Sequence, residues 1–225
     1  ANRLILLAPL GITKKNIEDF IVWAIVGVIV GGRLGYVLFY KPGYYIDHLS
    51  EIPAMWNGGM SFHGGALGVL IVSILFCRKR SIPLLTFGDL ICAAAPIGLF
   101  FGRIANFING ELFGRTTDSS LGMVFPHGGP LPRHPSQLYE ATLEGLVLFI
   151  LLALLIYKGR ALEKPGLISG VFFAGYGVAR FMVEYVREPD AHLGVLLGFI
   201  TMGQILSLPI IALGLWLIAR ARREP

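Results

Sequence analysis

Residues 84–109 read LLTFGDLICAAAPIGLFFGRIANFIN. This run exceeds the ~20 residues needed to cross a hydrocarbon core about 30 Å thick, yet Arg103 sits near its far end. Comparable apolar blocks lie at about 17–40, 61–77, 136–157, 166–186 and 194–219. Helices are the spanning element to expect, because lipid offers no water to satisfy backbone N–H and C=O groups. The alternating ten-residue strands of an outer-membrane barrel are absent from the sequence. Six blocks fill most of the 225 residues and leave no stretch for a soluble domain. The expectation is an all-α polytopic membrane helical bundle of about six transmembrane helices, forming one domain over 1–225.

Composition agrees. Hydrophobic residues make up 55 % and charged residues 15 %, where a soluble domain is about a quarter charged; mean hydropathy is +0.69. The 29 glycines suit membrane helices, where small residues permit close packing. Gly27, Gly31 and Gly35, four residues apart, predict one such contact face. Cys77 and Cys92 form no CxxC pair and lie in or beside apolar blocks, so small core residues are expected rather than a disulfide or metal site.

Arg3, Lys14, Lys15, Arg78, Lys79, Arg80, Lys158, Arg160, Lys164, Arg220, Arg222 and Arg223 all fall on one side of a six-pass path. Lys41, Arg115, Arg133 and Arg187 fall on the other. The positive-inside rule makes the crowded side cytoplasmic. A pI near 9.4 then reports topology and lipid contact, and no nucleic-acid partner is expected. Residues Ala1 to Pro9 are apolar but too few for a secretory signal.

Arg33, Arg103 and Arg180 remain inside blocks. An ionised side chain at the centre of a membrane helix costs ~2.5–3.5 kcal/mol on insertion scales and marks function by default. Arg103 lies about 19 residues, roughly 28 Å, into an outward-running block. Arg180 lies far along the fifth block, also outward, and His63 starts the inward second block. All three are expected in the outer half of the membrane. Arg103, Asn106 and Gly110 share one helical face, as do Tyr176, Arg180, Glu184 and Arg187. Arg187 and Arg103 could instead snorkel to the interface, and Arg180 could pair internally with Glu184. Arg33, in the glycine-rich block, reads as structural. The Gly- and Pro-rich stretch 111–135 is long enough for an arm or lid, closed by His134-Pro135-Ser136 with Pro135 at a first helical turn. His48, His127 and His192 read as solvated loop residues.

Two arginines in a dry, outward cavity make an anion site, because guanidinium stays charged and grips phosphate with two parallel bonds. In a membrane the most available buried anion is a phospholipid head group. His63 adds a group able to hold or release a proton near neutral pH. No His/Cys/Asp/Glu cluster has metal-ligand spacing, and no G-x-S-x-G elbow occurs, so no metal or cofactor is expected. The residues alone lead to a phospholipid-handling site with a candidate base. They leave open an enzyme, a transporter or flippase for an anionic lipid, and a non-catalytic lipid receptor. A transporter would be expected to have related halves, and no internal repeat is visible.

Several strings are distinctive: Gly31-Gly32-Arg33-Leu34-Gly35-Tyr36, Gly58-Gly59-Met60-Ser61-Phe62-His63-Gly64-Gly65, and Gly102-Arg103-Ile104-Ala105-Asn106-Phe107-Ile108-Asn109-Gly110-Glu111. Others are His134-Pro135-Ser136-Gln137-Leu138-Tyr139-Glu140, Gly175-Tyr176-Gly177 with Arg180, Glu184, Arg187, Glu188, Pro189 and Asp190, and Met202-Gly203-Gln204-Ile205-Leu206-Ser207. In these the sequence resembles the bacterial phosphatidylglycerol–prolipoprotein diacylglyceryl transferases, in the family's order and over essentially the whole chain. The resemblance implies transfer of diacylglyceryl from phosphatidylglycerol to the thiol of a lipobox cysteine in a prolipoprotein signal peptide. A thioether forms and glycerol phosphate leaves.

The resemblance also implies site roles. Arg103 would bind the lipid phosphate with Arg180 as its essential partner, and His63 would be the base. Asn106, Glu111 and Gly114 would line the head-group site. Tyr176, Glu184 and Arg187 would orient the lipid and gate the outer mouth, with His134 and Tyr139 in support. An arginine-assisted route without His63 stays open. The implied location is the bacterial inner membrane, with the site toward the periplasm and 111–135 as a periplasmic arm. Family members have seven helices and begin with one that carries a functional tyrosine. The six blocks here imply that this first helix is absent from the sequence.

Overall fold

The computed structural model describes residues 12–188, 195–196 and 200–223. Pro189, Asp190 and His192 lie outside the described residues. The helices are α1 (Lys14–Phe39), the short α2 (Pro42–Asp47), α3 (Phe62–Arg80), α4 (Leu84–Ile108), α5 (Ser136–Tyr157), α6 (Leu167–Val183) and α7 (Met202–Arg223). An all-α polytopic bundle is what the sequence leads one to expect. α1, α3, α4, α5 and α7 are long and apolar enough to cross a membrane. α6 has 17 residues, about 25 Å at 1.5 Å per residue. It is shorter than its apolar block because the chain turns at Glu184. The sixth block also begins differently from expectation: Val195–Leu196 (β1) pairs antiparallel with Ile200–Thr201 (β2) before α7 starts.

The chain divides into two compact units, residues 1–87 and 88–225. In the first, Thr13 caps α1: its hydroxyl accepts from Asn16 N–H, and its own N–H donates to the Asn16 side chain. This reciprocal pair satisfies donors the helix leaves open. Ser61 caps α3 by accepting from Gly64 N–H at 3.1 Å and donates its N–H to Gly32 O at 2.8 Å. The predicted glycine face exists and meets a second one. A Cβ on Gly31 would collide with Gly64 O and sit 2.8 Å from Gly68 Cα, and one on Gly35 would sit 2.7 Å from Gly64 Cα. Backbones in such contact gain dispersion without a hydrophobic drive, which lipid does not supply. At the basic end of α3, Phe20, Trp23, Phe76 and Phe87 pack edge to face and Arg80 pairs with Asp19.

Arg33 is buried and structural, as the sequence suggested. Its guanidinium donates to Ile52 O, Gly58 O, Gly59 O and Glu51 O at 2.6–3.2 Å and lies over the Tyr45 ring. It holds the 48–60 connection, where His48 stacks on Tyr44.

In the second unit, Asp89 on α4 is buried and caps α6 from a distance. Its carboxylate accepts from Gly166 N–H, Ser169 N–H and the Ser169 hydroxyl at 2.6–2.7 Å. A negative group at a helix N-terminus meets the unpaired N–H groups and the positive end of the dipole. Gly170 of α6 and Gly214 of α7 repeat the close glycine contact. Large apolar side chains such as Val22, Leu38, Phe101, Leu146, Leu208 and Trp216 are exposed, as suits helices that face lipid.

Gly31→Leu is expected to destabilise by at least about 1–3 kcal/mol through overpacking. Gly43→Ala, whose Cβ would meet nothing within 4 Å, should change little. Thermal unfolding in detergent compares the two.

Candidate functional site

Three acidic side chains in the second unit are buried against three arginines. Glu140, on α5, is fully buried. Its Oε2 lies 2.8 Å from Arg103 Nε. Its Oε1 accepts from Arg187 Nη1 at 3.0 Å and from Arg180 Nη1 at 3.4 Å. Arg180 Nη1 also pairs with Glu184 Oε2 at 2.6 Å. Arg103 Nη2 reaches Glu144 Oε2, one turn below Glu140, at 3.5 Å. The arginine side chains keep 12–18 % exposure, while the acids keep 0–6 %.

Local sequence explains how these groups meet. α4 brings Arg103 to α5 because Gly145 has no side chain: a Cβ there would lie 2.7 Å from Phe100 Cβ, one turn before Arg103. Residues Ala141–Val147 adopt a π-helical turn, a local widening often found at functional sites, and Glu144 is within it. Gly203, at the start of α7, makes room for Glu184: a Cβ there would lie 2.6 Å from the carboxyl carbon. Tyr176, one turn before Arg180, stacks on Phe172 within electrostatic reach of Glu144, Arg103, Arg180 and Glu140.

The other expected residues divide. Asn106 and Asn109 donate to the Glu111 carboxylate at 2.8 and 3.2 Å; these bonds, Asn106 first, hold its carboxyl below the usual range. Gly110 is not a member of the Arg103 face; at φ +67 it terminates α4. Gly114 N–H donates to His134 O at 2.8 Å and the residue bridges Arg187. A Cβ there would collide with Val186 O and lie 2.8 Å from His134 Cβ. Its place in the structure is a backbone junction. His134 Nδ1 and the Tyr139 hydroxyl are 3.4 Å apart.

Segment 111–135 forms isolated bridges (Thr116 and Met123 with Arg133) around the buried Phe125, which packs on Phe107 and Phe113. Arg133 pins it by donating to Gly128 O and Glu188 and stacking on Phe113. Arg115 donates to Arg187 O at 3.0 Å. His63 lies in the other unit, exposed in the first turn of α3 with its ring against Phe62. His127 is also exposed.

Sequence reading found the arginines and Glu184 but gave Glu140 no role and overlooked Glu144 and Gln137. These fall at i, i+3 and i+7 in an apolar block, the same pattern that singled out Arg103 and Arg180. Gln137 is buried and donates to Glu111 O at 2.6 Å, and Ser136 donates to Leu112 O. Arg103 and Arg187 do not snorkel; buried carboxylates hold both, and the Arg180–Glu184 pair exists as one edge of a larger cluster.

Glu140→Ala removes the counter-ion shared by three guanidinium groups and should cost about 3–5 kcal/mol, the usual result of breaking a buried pair. Glu163→Ala, which deletes an exposed pair with Arg160, should stay within about 0.5 kcal/mol. Thermal unfolding in detergent measures both.

A family model described as prolipoprotein diacylglyceryl transferase matches residues 3–220. The phosphatidylglycerol–prolipoprotein diacylglyceryl transferase of Paramagnetospirillum magneticum is 59 % identical over 222 residues, covering 98 % of this chain and 82 % of that one. Those of Rhodospirillum rubrum and Rickettsia conorii are 56 % and 55 % identical, covering 96 % and 98 % of this chain and 79 % and 85 % of theirs. With its apolar helices, this is a multi-pass membrane protein, and the chain belongs to the prolipoprotein diacylglyceryl transferase family.

Proposed function

We propose that this protein transfers diacylglyceryl from phosphatidylglycerol to a prolipoprotein, and that Arg103, Arg180 and Arg187 hold the lipid phosphate. The observation that carries the site assignment is the Glu140-bridged cluster, which fixes three guanidinium groups within one partly exposed patch. Each guanidinium has five N–H donors in a rigid fork, more than the carboxylates take up, so a phosphate can be gripped without dismantling the cluster.

The nucleophile belongs to the substrate: the lipobox cysteine thiol of the precursor. An ordinary thiol with a pKa of about 8.5 must lose its proton to attack. The thiolate attacks the glycerol carbon that bears the phosphate, the carbon–oxygen bond breaks, a thioether forms and glycerol phosphate departs. Arginines beside the departing phosphate stabilise its growing charge. His63 is the proposed proton acceptor, on its exposure and on imidazole's ability to titrate near neutral pH. Asn106, Glu111, Gly114, His134, Tyr139, Tyr176 and Glu184 are the proposed frame of the head-group site; Glu184 pairs with Arg180, Gly114 bridges Arg187 and Tyr176 is within electrostatic reach of Arg103 and Arg180. We place the chain in the bacterial inner membrane with its basic helix ends cytoplasmic, and residues 111–135 as a periplasmic arm.

Labelled diacylglyceryl transfer from phosphatidylglycerol to a lipobox peptide tests this. Arg103→Ala and Arg180→Ala should each lower kcat by at least about 10²-fold, a Cys→Ser peptide should accept nothing, and His63→Gln should slow transfer. Retained phosphatidylglycerol binding without transfer, in native-like lipid, would contradict the assignment.

A further inference from the structure

The cluster holds more negative charge than an anion site needs. Three arginines face three carboxylates, so with all three acids ionised the binding patch is near neutral before any phosphate arrives. The carboxylates are not equivalent. Glu140 and Glu184 have guanidinium nitrogens at 2.8 and 2.6 Å. Glu144 has only Arg103, at 3.5 Å, and its Oε1 is buried without a hydrogen-bond partner among the described residues. The charged and titratable groups facing it are Glu140 on its own helix, Arg103 on α4, and Arg180 and Tyr176 on α6. Its charge is therefore the least compensated in the cluster; in the ionised form, favoured at the alkaline pH of the test below, it acts strongly at low local dielectric on any anion beside Arg103.

This matters because substrate and product differ in charge, an inference that rests on the transfer reading above. A phosphodiester such as phosphatidylglycerol carries one negative charge. Glycerol phosphate is a monoester and carries about −1.5 to −2 near neutral pH. Arginines alone would hold the product more tightly than the substrate and stall turnover. We infer that Glu144 sets product release: its buried charge lets the arginines keep a phosphodiester monoanion and shed the phosphomonoester dianion that transfer leaves behind. Glu144 acts through Arg103 and is a positioning residue.

The test uses the full chain in phosphatidylcholine nanodiscs. Two soluble probes, glycerol phosphate and deacylated phosphatidylglycerol (a diester), compete against labelled phosphatidylglycerol binding and against transfer. For the wild type at pH 8 the diester should compete about tenfold better, and the gap should narrow below the monoester's second pKa of about 6. Glu144→Gln should bind the monoester about tenfold more tightly, with KM and kcat both lowered, as a lost ground-state repulsion requires. Glu144→Asp should restore the wild-type ratio. A Gln variant with an unchanged monoester-to-diester ratio overturns the inference. So does a wild type that binds the dianion as tightly as the diester, a result independent of whether any variant folds. Discrimination without thioether formation would instead sink the transfer reading alone.

Discussion

The end of the second unit that carries Arg103 depends on a single carboxylate. Glu140 has no exposed surface and no route to water, so its charge must be met by protein. Arg103 from α4, Arg180 from α6 and Arg187 beyond the turn that ends α6 meet it together. Meeting it fixes where α4, α5 and the end of α6 lie relative to one another. Gly145 and Gly203 give the space, Ser136 and Gln137 tie the start of α5 to residues 111 and 112, and Gly114 lets that segment lie against Arg187. Under the proposed function, this arrangement keeps the arginines in place before any lipid arrives, which is the usual condition for electrostatic catalysis.

α6 shows the same economy at both ends. Asp89 satisfies its N-terminal N–H groups and Arg180 lies in its last turn, each charge matched to the dipole. A 17-residue helix is short for a membrane span, and these two polar ends define its length. Elsewhere the helices rely on backbone approach, at the Gly31–Gly64 and Gly170–Gly214 contacts, while their outer surfaces stay apolar for lipid.

Much of this was readable from the chain. Apolar runs revealed the helices because lipid enforces length and hydropathy strictly, and the Gly27, Gly31, Gly35 row revealed a packing face because its four-residue spacing has one geometric meaning. The arginines stood out because charge inside an apolar run is rare. Glu140 and Glu144 follow the same rule, but an acid inside an apolar run does not point to an anion site until the arginines it holds, distant in sequence, are seen beside it. The π turn at 141–147 has no sequence signature of its own, and Gly114 looked like a ligand-lining residue because its need for close backbone approach comes from Val186 and His134, distant in sequence. Arg133's role also stayed hidden, since two of its partners are main-chain carbonyls that any sequence has and Glu188 lies 55 residues away.

The most direct test of the account is the lipid retained by protein purified from mixed phosphatidylglycerol and phosphatidylethanolamine micelles, measured by native mass spectrometry. The account predicts that the wild type keeps phosphatidylglycerol selectively and that a folded Arg103→Met/Arg180→Met chain loses that preference. Unchanged phosphatidylglycerol retention by the double variant would show that the lipid phosphate binds elsewhere and that the Glu140 cluster serves only the fold.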